Sequence, residues 1–261
     1  MKHFLVSLAA LCAFVCSLPA QPGGRGGAGM MGGGPRLGAA MARVFGEHKG
    51  FSAKLETEVK SAKADTASVG GKFLFLEGKS RLEIDIANAK GSRMPPGMAE
   101  QMKAMGMGEM VVISRPEKKL TYLIYPGLKS YAETEMSAED AGGDASKMKV
   151  ETTKLADETV DGQACVKNKV VVTDEDGHAN EFTVWNSDAL KKFPVQIEKT
   201  EKNTTVVMRF KDVKFERPDA TSFDAPAGMT RYDNMQALMQ GAMMKALGGA
   251  GGAAPGAAPK P

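Results

Sequence analysis

The chain holds three histidines and three cysteines, and their surroundings limit the chemistry they can do. His48 follows an apolar helical stretch beside Lys49 and Gly50, and His178 lies in the turn sequence DEDGHAN. Neither is near a GxSxG elbow or a cysteine nucleophile in sequence, and both suit exposed positions. Gly78-Lys79-Ser80 resembles the end of a phosphate-binding loop, but the glycine required five residues before Gly78 is Phe73, so the loop is absent. Glu56, Glu58, Glu83 and Asp85 alternate with apolar residues, as solvated strand faces do. The acids of 174–180 lack the spacing and closing Glu of an EF-hand. Asn203-Thr204-Thr205 matches a glycosylation sequon but reads as a hairpin turn. No catalytic residue and no cofactor is indicated, and a non-enzymatic protein is expected.

The methionines are a different matter. There are 18, clustered at 94–110 and 235–244. Met98, Met102 and Met105 fall at i, i+4 and i+7, one face of a helix. Three readings stay open: an ordinary core stripe, an adaptable lid over a greasy cavity, or a thioether site for Cu(I).

These side chains need a scaffold, and the chain reads mainly as strands. FSAKLETEVK (51–60) puts Phe51, Ala53, Leu55, Thr57 and Val59 on one face and charge on the other. SRLEIDI (80–86) repeats the pattern. Further strands are expected at 110–115, 119–125, 147–156, 164–173, 180–186, 194–200, 204–211 and 213–217. Pro126-Gly127, Asp161-Gly162 and Asp176-Gly177 mark turns between them. KFLFLEG and LTYLIY are apolar on both faces, Phe73 and Phe75 against Leu74 and Leu76, and Tyr122 and Ile124 against Leu123 and Tyr125. Such strands need cover on both sides. Helices expected at 37–48, within 95–110 opening at Pro96, and at 233–247 can supply it. In the last, Asp233 would cap, Met235, Leu238, Met239, Ala242 and Met243 would form the stripe, and Gly248 would end it. Tyr125 is expected to pair across the hairpin with Tyr131.

The ends bound the setting. Residues 1–20 combine Lys2 and His3, an apolar run from Phe4 to Val15 and the stretch Ser17-Leu18-Pro19-Ala20. They read as a secretory signal, not lipidated, too short for a permanent span, so the expected location is the periplasm or beyond. Residues 21–36 and 248–261 are too rich in glycine to fold and read as a linker and a tail, leaving one domain over 37–247. With the signal gone, Cys165 is the one thiol left and reads as a small buried hydrophobe. There are 34 basic and 31 acidic residues, for a net charge of +3. They are interspersed, which disfavours nucleic acid as a partner and gives no reason for stable membrane insertion. Nothing in the sequence sets an oligomeric state.

VVISRPEKKLTYLIYPGLKSYAET resembles a strand pair of the LolA-like periplasmic lipoprotein carriers. The stretch from DETVDGQACVKNKVVV to FDAPAGM resembles a bacterial domain-of-unknown-function family, numbered 4412, linked to that superfamily. Its marks are Gly162, Cys165 and Lys167, then Trp185, Asp188, Leu190, Phe193 and Pro194, then Phe223, Pro226 and Gly228. The resemblance implies a mainly β fold with helices: a curved, half-open antiparallel barrel with two or three helices across its concave side, where the carriers bind acyl chains. The expected function is binding of a hydrophobic small molecule or lipidated protein, with a self-filled interaction module and a Cu(I) protein as alternatives. The candidate ligand-facing residues are Phe73, Phe75, Met98, Met102, Met105, Tyr122, Ile124 and Trp185.

Overall fold

The computed structural model describes residues 38–61, 64–91, 97–136, 147–201 and 203–246. The expected signal, linker and tail, and the roles given to Pro96 and Gly248, lie outside them. The strands are β1 (Gly50–Ser61), β2 (Ala64–Leu76), β3 (Lys79–Asp85), β4 (Glu109–Arg115), β5 (Leu120–Tyr125), β6 (Ser130–Glu135), β7 (Lys149–Val160), β8 (Gln163–Thr173), β9 (Ala179–Ser187), β10 (Phe193–Glu201), β11 (Thr204–Lys214) and β12 (Thr230–Tyr232). They form one open sheet in the order β12-β6-β5-β4-β3-β2-β1-β11-β10-β9-β8-β7. Two antiparallel meanders, β1 to β6 and β7 to β11, are thus joined where β1 pairs with β11. The sheet is mainly antiparallel; β12 adds a short parallel pairing to β6. Three helices accompany it among the described residues: α1 (Ala39–Val44), α2 (Met98–Ala104) and α3 (Met235–Ala246).

One apolar cluster gathers residues from β1 to β6, from β8 to β11 and from α1 and α3, so the sheet wraps around a single inner face. Phe51, Ala53 and Leu55 point into it as the alternation required. Most strands begin and end close to their sequence limits, with two instructive exceptions. Residues 64–71 extend β2 ahead of the KFLFLEG stretch and through Gly70-Gly71. A Cβ at Gly71 would stand 2.1 Å from the Glu83 carbonyl oxygen, so the close approach of β3 demands glycine there. The expected strands 204–211 and 213–217 merge into one strand that ends at Lys214, so 215–217 are not strand, and Asp212 stands at φ 51 beside an irregularity in the β1–β11 ladder. A bulge lets the strand bend without ending.

The doubly apolar strands have their two covers, but helices supply only the inner one. The outer face of β2, β4, β5 and β6 carries Leu74, Leu76, Val111, Ile113, Tyr122, Ile124 and Tyr131, and it is closed by the strap 216–229 through Phe223, which is fully buried. Arg115 holds the strap: Nη1 donates to the Phe223 carbonyl at 2.9 Å and to Asp224 at 2.7 Å, and Nε to Glu117 at 2.6 Å. Arg81 Nη1 donates to the Ser222 carbonyl at 3.2 Å. The strap then delivers β12 to the edge of β6.

The tyrosine hairpin differs from expectation in one pairing. Tyr125 lies opposite Ser130, and Tyr131 lies opposite Ile124. Tyr131 therefore shares the outer face with Tyr122 and meets it edge-on at 6.0 Å. In α3 the cap is Asn234, whose Oδ1 accepts from the Ala237 N–H at 2.8 Å, rather than Asp233. Leu238 is buried and Met235 and Met239 pack on the core, but Met243 is 57% exposed and falls off the stripe. Gly241 inside the helix lets the Tyr232 ring lie against it, since a Cβ would stand 2.4 Å from the Tyr232 hydroxyl and push the ring aside.

Candidate binding site

The inner face is richest in aromatic rings around one residue, Phe45. It follows the last turn of α1 and is 1% exposed. Its ring lies 5.0 Å from Phe51, 5.9 Å from Phe73, 4.9 Å from Phe75 and 5.6 Å from Phe210, with Phe193 at 6.2 Å. Five phenylalanines from β1, β2, β10 and β11 thus form a wall, and Phe45 stoppers it. Met41 and Val44 are buried beside it.

The stopper is lightly built. α1 has six residues, and its N-cap Gly38 offers no side-chain hydrogen bond. A helix this short has little stability of its own and depends on what its apolar side touches. Beyond it, Gly46 turns the chain at φ 60, and His48 Nε2 contacts the Lys191 carbonyl at 3.1 Å. His48 is half-buried, not exposed as its sequence neighbours suggested, because its ring lies against Phe193 and Phe215 at 5.3 and 5.1 Å.

A cleft of about 370 Å³ opens at one end of this wall, lined by Val160, Asp161, Gln163, Val195, Phe210, Lys211 and Asp212. Its size falls within the usual range of small-molecule sites, roughly 300–1,000 Å³. Phe210 belongs both to the cleft and to the wall around Phe45, so the two share that ring. The charges at the rim are engaged with one another. Lys211 meets Glu56 at 2.8 Å and Asp161 at 3.7 Å, and Asp212 meets Lys54 at 2.7 Å. The hydrogen bond from Lys54 holds the Asp212 carboxyl below the usual aspartate range.

The residues singled out from the sequence divide between several places. Phe73 and Phe75 are in the inner wall, 0% and 5% exposed. Tyr122 and Ile124 are on the opposite face under Phe223, so the sheet itself separates them from Phe73 and Phe75. Trp185 lies opposite Lys167 in the β8–β9 ladder. Its indole N–H donates to Glu158 at 2.7 Å, and Lys167 Nζ stands 5.0 Å from the ring centre. Its polar tip and one ring face are therefore occupied by the chain's own charges. α2 has no buried residue: Met98 and Met102 are half-buried and Met105 is 40% exposed. Met107 and Met110, just beyond the helix, are the methionines of this segment that enter the core.

His178 and the acids around it form a turn. Asp174 accepts from the backbone N–H groups of Asp176 and His178 and contacts His178 Nδ1 at 3.1 Å. Asp174, Asp176 and His178 are near enough to share an ion, yet the first is already committed to the turn. Cys165 is buried, as expected, and burial raises its thiol pKa. No helix among the described residues is long and apolar enough to cross a membrane.

Sequence reading missed Phe45, Phe193 and Phe210 as site residues. Phe210 could have been found by alternation along β11. Phe45 carried no signal beyond being the one aromatic in an expected helix.

No protein-family model and no curated protein matches the chain, and the numbered family 4412 is therefore matched by no model. Among solved structures, the chain is similar to a LolA superfamily protein from Nitrosomonas europaea, with TM-score 0.40 and 9% identity over 72% of this chain and 96% of that one. It is also similar to the lipoprotein LppX of Mycobacterium tuberculosis, with TM-score 0.38 and 11% identity over 71% and 97%. LprF from Mycobacterium bovis gives TM-score 0.36 and 15% identity over 75% and 99%.

Proposed function

We propose that this is an exported, non-enzymatic binding protein that holds a hydrophobic chain against the inner phenylalanine wall. The ligand is an acyl chain, a lipid or the anchor of a lipidated protein. The observation that carries the reading is the wall itself: five phenylalanines stoppered by Phe45 at the end of a six-residue helix, one of them, Phe210, also lining an open cleft. A ligand entering there takes the place of Phe45.

Magnitudes set what such a ligand must be. Releasing Met41, Val44 and Phe45 forfeits roughly 1.5–3 kcal/mol each, or about 5–9 kcal/mol together. Each buried methylene returns about 0.8 kcal/mol. A chain of about a dozen carbons therefore offsets the stopper across that whole range, and one shorter than about six offsets it nowhere in the range. Fluorescent fatty-acid probes of graded length, followed by native mass spectrometry and extraction of bound lipid, test this. Binding with a threshold between about six and a dozen carbons supports the reading; failure of every length at micromolar concentration overturns it.

A second reading, an envelope interaction module whose cleft fills itself, is favoured by the near-complete burial of Phe45. Phe45→Ala separates the two. It tightens chain binding if Phe45 is a removable stopper, and only destabilises the fold, by about 3–5 kcal/mol, if Phe45 is permanent core.

A further inference from the structure

Among the described residues, the arginines are paired with one exception. Arg115 is satisfied by Glu117, Asp224 and the Phe223 carbonyl, and Arg81 by Glu83 and the Ser222 carbonyl. Arg209, Arg217 and Arg231 each meet a carboxylate. Arg43, among the described residues, meets none. Its Nε is out of contact with water and has no hydrogen-bond acceptor, in a side chain that is half-buried overall. Glu47, one turn further along, is exposed and does not reach back to it.

A guanidinium N–H removed from water without an acceptor is costly, and native folds leave few such groups. The position is suggestive for the same reason. Arg43 precedes Phe45 by two residues on the short segment that stoppers the wall. An anion gripped by Arg43 would hold its attached chain at the same short segment that carries Phe45. A planar guanidinium also suits an oxyanion, because two of its N–H groups can meet two oxygens of a carboxylate or phosphate.

We infer that Arg43 is the head-group site of the hydrophobic ligand, and that the ligand is an anionic amphiphile bearing a carboxylate or phosphate. This rests on the binding reading proposed above and narrows it. The rim of the cleft at Phe210 does not compete for the anion, since Lys54 and Lys211 are already paired with Asp212, Glu56 and Asp161.

The test uses the purified protein and three matched probes with one pyrene-labelled sixteen-carbon chain (a length chosen from the methylene arithmetic, about 0.8 kcal/mol each): a fatty acid, the corresponding alcohol and the corresponding alkyl phosphate. Inorganic phosphate is added alone as a competitor. The unaltered protein is expected to bind acid or alkyl phosphate roughly tenfold or more tightly than the alcohol, the scale of one charge-assisted pair. Arg43→Gln should abolish that preference while leaving alcohol binding unchanged, and Arg43→Lys should keep part of it. Near-UV circular dichroism confirms that the variants fold. Equal binding of acid and alcohol, or a preference that survives Arg43→Gln, overturns the inference and leaves the binding reading intact. Inorganic phosphate competing as well as the alkyl phosphate overturns the assignment to an amphiphile. If no chain probe binds the unaltered protein, the binding reading fails and this inference fails with it.

Discussion

Glu158 shows how one side chain's environment becomes a measurable property. The hydrogen bond from the Trp185 indole, and then that from Lys167, holds its carboxyl below the ordinary glutamate value. A depressed pKa in the folded state means that the interaction is fully present above the unfolded value, about 4.3. It is lost as pH falls through the folded value. Trp185 is the sole tryptophan of the chain, so its emission reports the event directly. Acidification below about pH 4 should shift the emission before global unfolding, and Glu158→Gln should flatten that early step. An unchanged titration in the variant would mean that Glu158 does not govern the indole's surroundings.

At the scale of elements, the contrast is between the strap 216–229 and helix α2. The strap buries Phe223 against the outer face and is pinned by Arg115, whereas α2 buries no residue. Phe223→Ala should cost about 3–5 kcal/mol, the range for emptying a large core site. Replacing Met98, Met102 and Met105 together by leucine should change stability by no more than about 0.5 kcal/mol each. Chemical denaturation of the two variants checks both. A large loss from the methionine triple would show that α2 packs more tightly than its exposure indicates. Strands apolar on both faces announce two covers, but only contacts across more than a hundred residues decide what the outer cover is. Arg115 reaching Phe223 and Asp224 is such a contact. The outer cover was therefore not legible in local pattern.

For the whole molecule, the open sheet leaves unequal edges. β12 is three residues long, whereas β7 runs for twelve residues and, among the described residues, pairs only with β8. An unpaired edge of that length invites another strand unless it is defended. Its defences are Lys149 and Lys154, each in an exposed ion pair, and an irregularity around Leu155, which stands 53% exposed. Lys149→Val with Lys154→Val should produce concentration-dependent self-association on size-exclusion chromatography at near-neutral pH, with the unaltered protein showing less. Identical elution of both would mean that the bulge alone protects the edge.

The sequence by itself determined most strands and their inward faces, because alternation is a local property of a half-buried chain: Phe51, Leu55, Leu82 and Ile84 are where their spacing puts them. It also determined that Tyr122 and Tyr125 part to opposite faces. Tertiary structure alone decided what each face meets. Tyr122 and Ile124, apolar and suitable for a ligand, are covered by the strap, and the methionines of α2 remain at the surface. Phe45, unmarked in its own neighbourhood, becomes the centre of the site because β1, β2, β10 and β11 converge on it. Periodicity states which side of an element seeks burial, but the partner is chosen by the order in which the strands pair.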